Sequence, residues 1–125
     1  MHVDHAALRV ADLDATRGFY EGVLGLEPGR AFDLDGRRYH GVRGDGGGAL
    51  QFVVDPGSGE TGPGGGLDHV AVVVDDVDAA VARVRAHAGA TVESDPETPA
   101  GRRLAFVRDP DGYRVELLAP AGGTG

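Results

Sequence analysis

Residues 5–10 and 69–74 each divide, with a period of two, into a purely apolar face and an opposite face headed by a histidine. In the first stretch Ala6, Leu8 and Val10 share one face, and His5, Ala7 and Arg9 share the other. In the second, Val70, Val72 and Val74 lie opposite His69, Ala71 and Val73. Each stretch predicts a short, half-buried strand. The period then lengthens: Val77, Ala80, Val81, Val84 and Ala88 recur at helical spacing, and Leu13, Tyr20, Val23 and Leu24 do so more loosely. Asp12 and Asp76 suit N-caps, and Asp14 and Asp78 favour the positive end of a helix dipole. Gly25 and Gly89 are the expected helix stops. Period two returns after each helix, predicting strands over 26–34, 37–43 and 48–54, then over 90–95, 102–108 and 113–118. Turn signals separate them at "DLDG", "GDGGG", "PETPAG" and "DPDG".

Each half therefore reads β-α-β-β-β, and the halves repeat. "DHAALRVADLDA" at 4–15 and "DHVAVVVDDVDA" at 68–79 agree at seven of twelve positions with a constant offset of 64. The expected organisation is an α+β domain: a first module over 1–54, a glycine-rich linker over 55–66, a second module over 67–120 and a flexible tail over 121–125.

Two further polar residues interrupt apolar strands. Gln51 lies in "ALQFVV", opposite Leu50, Phe52 and Val54. Glu116 lies in "YRVELLA", opposite Tyr113, Val115 and Leu117. His5, Gln51, His69 and Glu116 thus occupy the first and last strands of the two modules, all turned from the face that packs on the helix. Burying an unpaired carboxylate costs several kcal/mol, roughly, unless a counter-charge is present. Two imidazoles, an amide oxygen and a carboxylate are acceptable ligands for one divalent ion, Zn, Ni, Co, Mn or Fe. Neutralisation of Glu116 by Arg9 is the competing explanation.

Composition narrows the classes. A net charge of −8, from 20 acidic and 12 basic residues, disfavours nucleic acid as a partner. Zero cysteines exclude disulfides, thiolate metal sites and a cysteine nucleophile. No apolar run of membrane-spanning length and no leader pattern occur, so the expectation is a cytoplasmic protein without membrane partners. Lys, Asn and Ile are absent and Asp outnumbers Glu by 14 to 6, as GC-rich codon usage or life in high salt would produce.

The two "DH" strands, "FYEGVLGL" at 19–26, "GLDHVAVVVDD" and "GRRLAFVRDPDGYRVEL" at 101–117 resemble the vicinal oxygen chelate superfamily over nearly the whole chain. The resemblance implies paired βαβββ modules forming a cup-shaped eight-stranded mixed sheet around one divalent metal. It places the ligands at His5, Gln51, His69 and Glu116. Within the superfamily the chain looks most like glyoxalase I. This implies a lyase or isomerase that moves a proton next to a carbonyl by way of an enediolate held at the metal. Glu116 is then the general base and Arg9 the contact for an anionic group of the substrate. Tyr39 and His40, on a middle strand, are the further candidates for substrate binding, with ordinary strand residues as the other reading. The implied partners are a small-molecule substrate, possibly a thiol adduct, and a second copy in a homodimer. Gln51 replaces the Glu common in bacterial relatives, Asp55 stands where an Asn binds glutathione, and Gly65 replaces a basic contact, so the thiol stays open.

A methylmalonyl-CoA epimerase-like or fosfomycin-resistance-like thiol transferase reading is the alternative. A drug-binding protein of the bleomycin-resistance type is the alternative outside enzymes, and seven aromatics with no Trp give it little to stack with.

Overall fold

The computed structural model describes residues 1–57 and 59–121. Ser58 of the expected linker and residues 122–125 of the expected tail lie outside the described residues. The chain divides into two compact units, Met1–Gly62 and Pro63–Gly125, each built round a four-stranded mixed sheet.

In the first unit β1 (Ala6–Arg9) leads into α1 (Leu13–Arg17), followed by β2 (Glu27–Leu34), β3 (Arg37–Arg43) and β4 (Ala49–Val54). The sheet order is β1-β4-β3-β2; β1 pairs with β4 in parallel and the other pairs are antiparallel. The second unit repeats this with β5 (Val70–Val73), α2 (Val77–Arg85), β6 (Thr91–Val92), β7 (Leu104–Arg108) and β8 (Arg114–Leu118), ordered β5-β8-β7-β6. The α+β class and the tandem βαβββ modules are as expected.

Both helices begin as their aspartates dictate. Asp12 and Asp76 keep extended backbones, and their carboxylates accept from the N–H groups of Ala15 and Ala79 at 3.1 and 3.0 Å. Beyond Arg17 the first helix widens: Gly18–Val23 forms π-type turns, and Leu24 N–H donates to Phe19 C=O. The wider turn accounts for the loose spacing in the sequence, because Phe19, Tyr20 and Val23 are all buried in spite of it. Gly25 then takes φ +80°, ending the segment as expected.

Gly89 does not play the same part. α2 stops at Arg85 with Ala86 as its cap, and Val84 is the last buried position; Ala88 is exposed, so no apolar side chain holds a further turn. The expected strand over 90–95 shrinks to Thr91–Val92. Glu93 and Ser94 both donate their N–H groups to Phe106 C=O, at 2.8 and 3.1 Å, which bulges the edge, and Pro96 and Pro99 follow.

Asp35 and Gly36 join β2 to β3 with φ of +53° and +78°, the left-handed pair of a tight hairpin turn. Asp109, almost fully buried, organises the β7–β8 turn: its carboxylate accepts from Asp111 and Tyr113 N–H, both at 2.9 Å. The "DPDG" motif is thereby a structural device that sets the entry of β8.

Each core lies between sheet and helix. Leu8, Val10, Phe19, Tyr20, Val42 and Phe52 fill the first; Val72, Val81, Val84, Val107, Val115 and Leu117 fill the second. His40 belongs to the first core. Its Nε2 lies 2.7 Å from Glu21 Oε2, and Arg17 Nε donates to the same carboxylate at 3.0 Å. The Glu21 carboxyl is held below its ordinary range, first by the Arg17 bond and then by His40, against the opposing effect of burial. A depressed carboxyl pKa contributes stability above the unfolded-state value and loses it as pH falls through the folded-state value. Glu21→Gln is therefore expected to destabilise the protein at neutral pH and to matter progressively less under acid conditions, as read by urea denaturation at both. An equal effect at both pH values would remove the ionised pair as a source of stability.

Among the described residues, no helix is long and apolar enough to cross a membrane.

Candidate functional site

The parallel pairing of first and last strands brings the polar residues of each module together. Ala7 is in register with Gln51, and Gly41 flanks Gln51 on its other side. In the second module Ala71 is in register with Glu116, and Phe106 flanks Glu116 on the other side. His5 and His69 head their strands two residues before these partners, so period two keeps each on the same face as Gln51 or Glu116.

The second module gathers its pair most tightly. His69 Nε2 lies 3.5 Å from Glu116 Oε1. Two ligands each held about 2.1 Å from one divalent ion stand about 3.0–3.4 Å apart, so the two atoms are spaced as neighbours in one coordination shell. The Glu116 side chain is only 16% exposed. The His69 ring meets Phe106 edge-on with centroids 5.6 Å apart, and the Arg114 guanidinium covers Phe106 at 3.8 Å. Arg114 and Arg108 both bind Glu93, whose carboxyl is held below its usual range by Arg114 first and Arg108 second.

In each module the histidine Nδ1 is engaged by the preceding aspartate, His5 with Asp4 Oδ2 at 2.8 Å and His69 with Asp68 Oδ2 at 2.6 Å. Both aspartate carboxyls are held below the ordinary range, in each case first by this hydrogen bond. Sequence reasoning assigned these aspartates no role, although the "DH" dipeptide at both repeats carried the signal.

Around Gln51 the face is more open. Gly41 occupies the place that Phe106 takes in the second module, and two residues of β2, Gly29 and Arg30, bulge opposite it. A Cβ at Gly41 would approach Arg30 C=O to 3.3 Å, so the bulge and the missing side chain belong together. Tyr39 is on this face, stacked on Phe32 with centroids 4.8 Å apart, and the Arg30 guanidinium lies over the Phe32 ring, 4.9 Å from its centroid. Arg9 is here too, 3.6 Å from Asp55, which also accepts from Arg37 at 3.0 Å.

Of the residues expected at the site, then, His69 and Glu116 stand together, and Gln51, Arg9 and Tyr39 share one face with His5. His40 is a correction: it follows Tyr39 directly on β3, so it points to the opposite face and is consumed by Glu21. Arg9 pairs with Asp55, and the group beside Glu116 is His69. Among the described residues no cluster of three or more His, Asp or Glu side chains is gathered at metal-holding distance.

The family described as Glyoxalase/Bleomycin resistance protein/Dioxygenase superfamily matches residues 2–117. A lactoylglutathione lyase of Haemophilus influenzae is 33% identical over 124 residues, covering 94% of this chain and 92% of that protein. A lactoylglutathione lyase of Arabidopsis thaliana is 38% identical over 120 residues, covering 91% of this chain but 42% of its own length, so the chain spans less than half of that relative. The trypanothione-dependent glyoxalase I of Leishmania major superposes with a TM-score of 0.81 at 30% identity, over 95% of this chain and 86% of that one.

Proposed function

Because the chain belongs to the glyoxalase/bleomycin resistance protein/dioxygenase superfamily, we propose that it is a divalent-metal-dependent lyase of the lactoylglutathione lyase kind, acting on the thiol adduct of a 2-oxoaldehyde. The observation that carries this reading is the His69–Glu116 pair: an imidazole nitrogen and a carboxylate oxygen 3.5 Å apart, on the sheet face away from the helix.

The proposed metal-ligating residues are His5 and Gln51 in the first module and His69 and Glu116 in the second. The set suits Zn, Ni, Co, Mn or Fe, all of which accept nitrogen and oxygen donors. The ion, when bound, supplies the positive charge that stabilises an oxyanion next to the reacting carbon.

The chain's own residues do the rest. The Glu116 carboxylate takes the proton from the carbon beside the carbonyl, and the electron pair left behind moves toward the carbonyl oxygen. The same carboxylate returns the proton to the neighbouring carbon, and the hydroxyl proton of the adduct passes to the former carbonyl oxygen, which converts the adduct into the thioester of a 2-hydroxy acid with no change in overall oxidation state. Gln51 can hold an ion through its amide oxygen but cannot take a proton, so Glu116 is the single base. Tyr39 and Phe32 offer an aromatic wall beside the gap at Gly41. Arg9 and Arg37, tethered by Asp55, offer guanidinium groups to the anionic end of a thiol.

The test is metal analysis of tag-free protein supplemented with each ion, with methylglyoxal and a panel of thiols assayed for thioester formation. One bound ion per site and thioester with at least one thiol are expected. Protein that takes up no ion would end the metal reading, and metal-loaded protein silent on every thiol would end the lyase reading.

A further inference from the structure

A neutral imidazole carries one ring proton, and which nitrogen holds it decides which nitrogen can bind a cation. In solution the proton of an unengaged imidazole favours Nε2, which would block the atom that faces Glu116. In this protein the Nδ1 atoms of His5 and His69 lie 2.8 and 2.6 Å from the Oδ2 atoms of Asp4 and Asp68. An ionised carboxylate only accepts hydrogen bonds, so each pairing requires the proton on Nδ1 and leaves the Nε2 lone pair bare.

We infer that Asp4 and Asp68 are positioning residues, each holding the histidine that follows it in the tautomer whose Nε2 is open to a divalent cation. The inference rests on the cation site proposed above. Three observations carry it. The same atoms engage in both modules, 64 residues apart, so the arrangement belongs to the strand head and not to one local accident. Both aspartates are well exposed, at 85% and 80% of the side chain, which leaves them no packing role to explain their place. In the second module the aspartate is itself steadied: Arg114 Nη1 stands 3.5 Å from Asp68 Oδ2 while its guanidinium lies over Phe106 and its Nε binds Glu93. Glu93, Arg114, Asp68, His69 and Glu116 thus form one continuous polar chain ending at the proposed ligands.

Partners of this kind fix ring orientation and raise ligand basicity, and their loss ordinarily costs about 10–100-fold in metal affinity. The deciding experiment compares wild type with Asp4→Ala, Asp68→Ala and the corresponding Asn variants. Affinity for Ni2+ and Zn2+ alone is measured by competition against a chelator, and long-range proton–nitrogen spectra of the metal-free proteins are recorded at alkaline pH. In wild type both histidines are expected to carry the proton on Nδ1. Each Ala variant should move its own histidine toward the Nε2–H form and weaken metal binding about 10-fold or more. The Asn variants, whose amide oxygen still accepts from Nδ1, should keep the tautomer and recover most of the affinity. Thermal melting, expected to be unchanged at such exposed positions, shows that the variants are folded. Ala variants that bind metal as tightly as wild type, or that keep the Nδ1–H form, overturn this inference alone. Wild-type protein that binds neither ion overturns the metal site and the inference with it.

Discussion

Glu116→Gln is expected to lower turnover about 10²–10⁴-fold, the range that a positioned general base contributes, with a much smaller change in KM. The substitution keeps the length of the side chain and an amide oxygen for the cation, and it removes the ability to accept a proton. Its neighbour supports the separation of the two roles. His69 Nε2, 3.5 Å from Oε1, is engaged at its other ring nitrogen by Asp68, so it is expected to stay in place when the charge is removed. The measurement is steady-state kinetics on the best thiol adduct, with metal content determined on the same preparation. Full turnover with full metal would remove Glu116 as the proton acceptor.

Phe52→Ala carries the largest expected effect on stability. Phe52 has no exposed surface, and its ring lies 4.8 Å from that of Tyr20, which meets Phe19 edge-on at 4.9 Å. Truncating a buried Phe costs about 3–5 kcal/mol, from lost transfer energy and the cavity left behind. That is a large part of the roughly 5–15 kcal/mol that stabilises an ordinary domain. Phe52 also sits next to Gln51 on β4, so the cavity opens directly behind the proposed ligand. Urea unfolding followed by circular dichroism should show the first module losing its cooperativity at lower denaturant. A loss below about 1 kcal/mol would mean that the aromatic cluster is not what holds the helix to the sheet.

The strands of the first module lie within a residue of the ranges that period two predicts, and both helices start at their aspartates. Such features depend on backbone geometry over a few neighbouring residues, which side-chain pattern reports well. The misses have a different origin. α2 ends early because nothing beyond Val84 is apolar and buried, and β6 is cut short by a bulge that two N–H groups make on one distant carbonyl. The π-type turns after Arg17 shift the buried positions in a way that a fixed helical period does not anticipate. His40 was placed beside Tyr39 even though alternation along a strand sends adjacent side chains to opposite faces; its partner Glu21 is nineteen residues away and left no trace in the pattern.

What the sequence by itself determined is which side of each strand a residue occupies, where the helices begin, and that two modules repeat with four polar residues at matching places. The physical reason is that strand period, capping and turn chemistry are local. The tertiary structure alone decided who meets whom. The parallel pairing of β1 with β4 and of β5 with β8 sets Ala7 against Gln51 and Ala71 against Glu116. The tertiary structure likewise brings Arg9 to Asp55, Arg114 to Phe106 and His40 to Glu21. Those meetings depend on strand order and register between segments far apart in the chain, and no short stretch of sequence contains that information.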